Sequence, residues 1–389
     1  MFNNIVGPES PLTWPVQFWL VFPVTFIVSV AATWLCEKIA LWLGIVDKPD
    51  KLVKTHQKPT PYLGGVGMFI GLVAGILCAL YFLPQDYPPM ARKWLFGILG
   101  ASAVACVVGC IDDIVDIRPW QKIAGQVAAA TVLVATGVTP TLNLPGGPTR
   151  LAVDTVIVIV FVLGATNSLN LLDGLDGLCG GVTAVMTFGM LLLATLMGDF
   201  QDGLRGDSVR VIVCLGLLAS VCGFLPFNYP RRAGARIFMG DAGSLLLGLN
   251  MAVLMIMFSE GGLQWWVASV VIFGLPVLDT AVAFARRIVN KKPLFVSDRG
   301  HIYDQMMDRG LTLRKTVNLC YGLAALYALV GLVVGLLPVW GAVIVCVMTV
   351  LVSVLVVWKK GYLKMTGLRG TTQKISGLSF LDGPGSPWT

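Results

Sequence analysis

Asp112 and Asp113 are adjacent in GCIDDIVDIRPWQK (residues 109–122), at the end of an apolar run. Neighbouring carboxylates repel unless a cation or a proton stands between them. The cost grows near a bilayer and at the negative end of a helix dipole. A solvated helix end explains the pair poorly; metal binding or proton acceptance explains it better. In NSLNLLDGLDGLCGG (167–181), Asn167, Asn170, Asp173 and Asp176 recur every three residues, a spacing that lets oxygen ligands share one side of a helix end. The glycines among them permit tight turns and close approach of a ligand. Oxygen-only donors suit Mg2+, with Mn2+ as a substitute; the run is too short for a calcium loop closed by Glu. In RIFMGDAGSLLLG (236–248), Asp241 sits between glycines just before another apolar run. Alone it would read as a helix cap; beside the preceding cluster it reads as a further metal ligand.

Basic groups supply the complementary chemistry. VDKPDKLVKTHQKPTPYLGG (46–65) offers Lys48, Lys54, His56 and Lys58, then Gly64 and Gly65 opening an apolar run. That arrangement is compatible with a phosphate, but taken alone it reads better as a basic loop beside a membrane. The 286–316 loop contains SDRGHIYDQMMDRG, in which Arg299 and His301 are placed to hold a diphosphate. Asp279 lies inside an apolar run, where a carboxylate is functional by default; a hydrogen bond to a neighbouring helix is the competing reading. The nine cysteines are scattered without a CxxC, and only two histidines exist, so no zinc site is expected.

The elements that position these groups span a membrane. Of 389 residues, 56% are hydrophobic and only 13% charged, about half the charged share of a soluble domain. Eleven runs approach the length of a bilayer-crossing helix: 17–38, 63–83, 94–110, 121–137, 151–169, 178–198, 209–227, 243–259, 265–285, 317–336 and 340–358. The runs 121–137 and 243–259 are the weakest of these assignments. No ten-residue strand alternation is present, so a barrel is not expected. With eleven spans, 22 of the 28 Lys and Arg fall in the loops after odd-numbered spans and in the tail. Five fall on the other side, and Lys38 ends the first span. The positive-inside rule then puts the N-terminus outside and the C-terminus in the cytoplasm. Every unusual polar cluster falls on the cytoplasmic side or at the inner end of a span, so five loops converge on one face. The expected organisation is an all-α integral membrane protein with one transmembrane catalytic domain, 1–364, and a disordered cytoplasmic tail, 365–389.

The runs DD at 112–113, NSLNLLDGLDGL at 167–178 and FMGDAGS at 238–244 resemble those of the polyprenyl-phosphate N-acetylhexosamine-1-phosphate transferases. That family includes the undecaprenyl-phosphate GlcNAc-1-phosphate transferases and the phospho-MurNAc-pentapeptide translocase. The resemblance covers roughly 46–316 and is closest to the GlcNAc branch. It implies transfer of a sugar 1-phosphate, GlcNAc 1-phosphate first among candidates, from a UDP-sugar to undecaprenyl phosphate, with release of UMP. It implies Mg2+ on Asn170 and Asp241, a uridine pocket lined by Asp173, Asp176 and Phe238, and Asp112 and Asp113 near the lipid phosphate. Lys54 and Lys122 match phosphate-contacting positions. The expected location is the bacterial inner membrane, with the active site at its cytoplasmic face. The expected partners are the UDP-N-acetylhexosamine, the lipid phosphate and the bilayer, with a homodimer open and no nucleic acid. One departure stands out: the branch carries HIHH where this chain has His301-Ile302-Tyr303-Asp304. That leaves the donor sugar open, and with it an inactive homologue. A transporter or flippase is the rival of another class; it lacks a visible repeat between halves. A CDP-alcohol phosphotransferase is disfavoured because DGLDGLCGG lacks its arginine.

Overall fold

The computed structural model describes residues 19–47, 59–82, 89–142, 147–197, 207–229, 234–291 and 300–363. Lys54, Arg299 and the 365–389 tail lie outside the described residues. About 84% of the described residues are helical. The helices are α1 (Val21–Leu43), α2 (Gly64–Phe82), α3 (Pro89–Val115), α4 (Pro119–Thr136), α5 (Pro148–Leu172), α6 (Leu178–Met197), α7 (Asp207–Asn228), α8 (Gly240–Met257), α9 (Leu263–Ile272), α10 (Gly274–Val289), α11 (Ile302–Asp308), α12 (Leu313–Leu336) and α13 (Val339–Lys359). Two short strands, β1 (Val46–Asp47) and β2 (Thr60–Pro61), pair antiparallel between α1 and α2. They are the one departure from an all-α reading.

Each of the eleven apolar runs is helical. Among the described residues, nine helices are long and apolar enough to cross a membrane, or ten if α9 and α10 make one bent span. The run 121–137 forms α4 but is not among them, because its first turns carry Gln121, Lys122 and Gln126. The run 265–285 breaks into α9 and α10 with a bend of 66°. Pro276 supplies the cause: it has no N–H to continue the helix, and its ring would clash with the carbonyl four residues back, at Ile272, where α9 ends.

α8 is the axis of the bundle. Of its 18 residues, all but Asp241 are buried, as expected for a helix that is apolar all round. It packs on α3, α5 and α2. α13 is the opposite case: only Ala342 and Val357 are buried, so its surface suits lipid. Around α8 the helices approach through small residues, the usual solution where lipid removes the hydrophobic drive between helices. Thr25, Ser29 and Thr33 of α1 face Gly75, Gly71 and Gly67 of α2. A Cβ added to Gly71 would lie 2.6 Å from Ser29 Cβ, and the Ser29 hydroxyl donates to the Ser220 carbonyl of α7 at 2.7 Å.

Candidate active site

The end of α3, the start of α4, the end of α5 and the start of α8 meet at one end of the bundle. Asp112 and Asp113 are successive residues in the last turn of α3 and diverge by about 100° around the helix. Asp113 turns to α8: its two oxygens accept the backbone N–H groups of Asp241 at 2.7 Å and Ala242 at 3.2 Å. It thereby caps α8, satisfying donors with no partner inside the helix and placing a negative charge at the positive end of the dipole. The Asp241 side chain makes no cap bond. Gly240 permits the contact: its φ is +65°, and a Cβ there would come within 2.3 Å of Asp113 Oδ2. Asp112 turns to α4. Its Oδ2 lies 2.8 Å from Lys122 Nζ, and its Oδ1 accepts the Ile117 N–H at 3.0 Å.

Lys122 is the hub. Its ammonium contacts Asp112, the Asp241 carboxylate through a very short bond, and Asn170 Oδ1 at 3.3 Å. Asn170 Nδ2 donates to Asp241 Oδ1 at 2.5 Å and to the Ser244 hydroxyl at 2.9 Å. The oxygens of Asp112, Asn170 and Asp241 therefore converge from three helices on one point. Two carboxylates and an amide are hard donors. Among the described residues no group of three or more His, Cys, Asp or Glu is placed to hold a metal by itself. Mg2+ is commonly bound through one or two carboxylates and completed by water and substrate phosphates, and the Asp112, Asp241 and Asn170 oxygens are donors of the type it takes.

The α5–α6 turn extends the site. Asp173 is half-buried, and its carboxyl is held well above the usual carboxylate range by burial and then by the charges of Asp241, Asp113 and Asp176. Asp176 Oδ2 accepts the Ala235 N–H at 2.9 Å. Phe238 is half-buried, lies 6.4 Å from the Tyr62 ring, and is tied to β2 through its N–H and the Pro61 carbonyl at 2.9 Å. Burial first, and then a hydrogen bond to Asp47, raises the Tyr62 phenol. Asp173, Asp176 and Phe238 thus flank the converging oxygens. His301 reaches the same end as the residue preceding α11; it is buried and paired with Asp279.

Two readings of the sequence change, and a third is narrowed. Gly64 and Gly65 do not offer their N–H groups to a phosphate, because these donate to the carbonyls of Phe238 and Met239 at 3.0 and 2.9 Å. Asn167 leaves the three-residue series: its Nδ2 bonds Gln126 at 3.1 Å and the Leu163 carbonyl at 2.8 Å. Asp279, for which a functional role and a hydrogen bond to a neighbouring helix are the two readings, pairs with His301, the residue before α11. Two residues were not singled out. Ser244 stands three residues after Asp241, a signal available in GDAGS. Asn228 crosses from α7, accepting the Gly177 N–H at 2.9 Å and donating to the Ile237 carbonyl at 3.0 Å; nothing in its local sequence marks it.

Comparison with known proteins places the chain among related sequences. Residues 95–259 match the model of glycosyl transferase family 4, a span that holds Asp112, Asp113, Lys122, Asn170 and Asp241. A probable undecaprenyl-phosphate N-acetylglucosaminyl 1-phosphate transferase of Bacillus subtilis is 29% identical, over 89% of this chain and 92% of its own. A decaprenyl-phosphate N-acetylglucosaminephosphotransferase of Mycobacterium leprae is 30% identical, over 76% and 78%. An undecaprenyl-phosphate alpha-N-acetylglucosaminyl 1-phosphate transferase of Yersinia pestis is 28% identical, over 79% and 82%.

Proposed function

The chain belongs to the polyprenyl-phosphate N-acetylglucosaminyl 1-phosphate transferases of glycosyl transferase family 4, and from that premise we propose that it transfers N-acetylglucosamine 1-phosphate from UDP-N-acetylglucosamine to undecaprenyl phosphate, releasing UMP. The observation that carries the reading is the convergence of Asp112, Asn170 and Asp241 on the Lys122 ammonium. The site end faces the cytoplasm of the bacterial inner membrane in this reading. Eleven spans, with α4 and the bent α9–α10 pair counted, and the excess of Lys and Arg at the site end support that orientation.

Both reactants are anions, so neutralising charge is the main task. Asn170 Oδ1 and Asp241, with Asp112 in reach, would hold Mg2+. When bound, the metal supplies positive charge to the diphosphate of the donor and to the departing UMP. Lys122 and His301 add cationic groups on either side. Asp173 and Asp176 are placed for the uridine and ribose, and the Phe238 ring for the base. Asp112 and Asp113 stand at the end of α3 near the incoming lipid phosphate, Asp112 bound to Lys122 and the Ile117 N–H and Asp113 to the start of α8. A phosphate with a second pKa of about 6 is already largely dianionic at neutral pH, so Asp112 has little proton to remove. The lipid phosphate oxygen bonds to the β-phosphorus, and the bond from that phosphorus to the UMP oxygen breaks.

The test is UMP release by purified protein with undecaprenyl phosphate and Mg2+, using UDP-GlcNAc, UDP-GalNAc and UDP-MurNAc-pentapeptide separately. Lipid-dependent UMP from UDP-GlcNAc is expected. UMP from another donor alone would replace the sugar in the assignment, and none from any would remove the reaction class.

A further inference from the structure

Asp279 lies inside α10 and is 1% exposed, a position where a carboxylate needs partners. Both its oxygens serve one segment. Oδ2 is 2.7 Å from His301 Nδ1, and Oδ1 accepts the Ile302 N–H at 2.7 Å. The His301 ring, 5% exposed as a residue, lies flat against Tyr303, with centroids 5.4 Å apart and planes at 7°. The Tyr303 hydroxyl donates to the Leu171 carbonyl at 2.9 Å, beside Asn170, and a Cβ on Gly174 would come within 2.2 Å of that oxygen. A continuous line of contacts therefore joins the bent helix pair to the turn that bears Asp173.

This line orients an imidazole. A carboxylate that takes the Nδ1–H leaves Nε2 as the nitrogen available to a ligand. Nε2 has no hydrogen-bond partner among the described residues. The ring is held in plane by the Tyr303 stack and in rotation by Asp279. The charged and titratable groups around it are Asp279 and Arg286 of α10 and Asp304 of α11, with Cys320 of α12 facing Asp279. Burial opposes the imidazolium and Arg286 also opposes it. The Asp279 bond and charge, with Asp304, outweigh them, so the His301 pKa is raised.

We propose that Asp279 and Tyr303 are positioning residues for the donor: Asp279 fixes the rotamer and charge of His301, Tyr303 fixes its place beside the Asp173 turn, and His301 Nε2–H is thereby presented to the diphosphate. The inference rests on the function proposed above. It also accounts for the departure at 301–304. Tyr303 gives its hydroxyl to Leu171, and an Asp304 oxygen accepts the His301 N–H at 3.3 Å; these two side chains brace the site and do not read the sugar.

The test is the pH dependence of UMP release at varied donor and lipid concentrations. Asp279→Asn should raise the donor KM about tenfold at pH 8 and less at pH 6. It should move the alkaline limb of donor kcat/KM to lower pH and leave the lipid KM unchanged. Tyr303→Phe keeps the stack and loses the Leu171 bond; it should raise the donor KM about threefold without moving the limb or the donor preference. Were Asp279→Asn not to fold, His301→Gln in folded protein should lose the alkaline limb altogether. An unmoved limb in folded Asp279→Asn or His301→Gln protein, or a changed donor preference in Tyr303→Phe, would overturn the proposal. A wild-type protein that releases no UMP would instead remove the reaction on which it rests.

Discussion

Buried charge occurs at both ends of the bundle, and it is built differently at each. At the end remote from the site, Arg210 is 2% exposed and is paired with Glu260. Its NH1 donates to Glu260 at 2.7 Å and to the Met257 carbonyl at 2.8 Å, and its guanidinium lies over the Phe258 ring at 5.8 Å. That arrangement ties the start of α7 to the end of α8. At the site end one ammonium, Lys122, faces Asp112 and Asp241, while Asp113 and Asp173 crowd behind them. A structural ion pair balances its charge. A cluster that holds an excess of carboxylate in fixed geometry is the kind of site that the proposed reaction, with its bound cation, requires.

The largest effect that would sharpen this contrast is Asp241→Asn. It should lower UMP release on the order of 10²–10³-fold or more, while the thermal midpoint of the detergent-solubilised protein stays within a few degrees. Near wild-type turnover would break the contrast at once. Next is Lys122→Met, which leaves Asp112 and Asp241 facing each other. A loss of about 2–3 kcal/mol is expected in EDTA, largely restored by Mg2+, and is measured as a Mg2+-dependent thermal shift larger than that of the wild type. Arg210→Met, at the other end, should cost about 1–2 kcal/mol, moderated because the Glu260 side chain is 28% exposed. Magnesium should not restore it, and kcat/KM per folded molecule should not change.

The smallest effect concerns Asp173. Its proton is held more tightly in the folded than in the unfolded state. Its contribution to stability is therefore full below the unfolded value of about 4 and is lost as pH rises through the raised folded value. Asp173→Asn should remove that loss, raising the thermal midpoint at pH 7.5 more than at pH 5 while lowering activity. An equal shift at both pH values would mean that Asp173 carries no such strain.

The helices and the residues of the charge cluster were legible in the sequence, because hydrophobic runs and oxygen donors at helix ends are local signals. Asp112, Asn170 and Asp241 stood out for their types and places, and the structure brings them together. What the sequence hid was direction. Adjacent carboxylates read as one unit, yet successive helical positions point apart, and Asp113 serves α8 while Asp112 serves Lys122. Gly64 and Gly65 read as a phosphate seat, but the pairing of that turn with residues 238–239 is a contact between distant segments that no local pattern announces. The break between α9 and α10 is marked by Pro276, but the apolar run continues through it and hides the break. Tyr303 looked like a lost histidine until the Leu171 carbonyl gave its hydroxyl a partner.

The most direct measurement uses UDP-GlcNAc labelled with 32P at the β-phosphate, incubated with the protein, undecaprenyl phosphate and Mg2+, then partitioned between water and organic solvent. Label moving into the lipid phase, with unlabelled UMP left in water, is the expected result. Label remaining on a water-soluble UDP while the sugar enters the lipid would mean that the sugar alone is transferred, and would contradict the assignment of sugar 1-phosphate chemistry to this site.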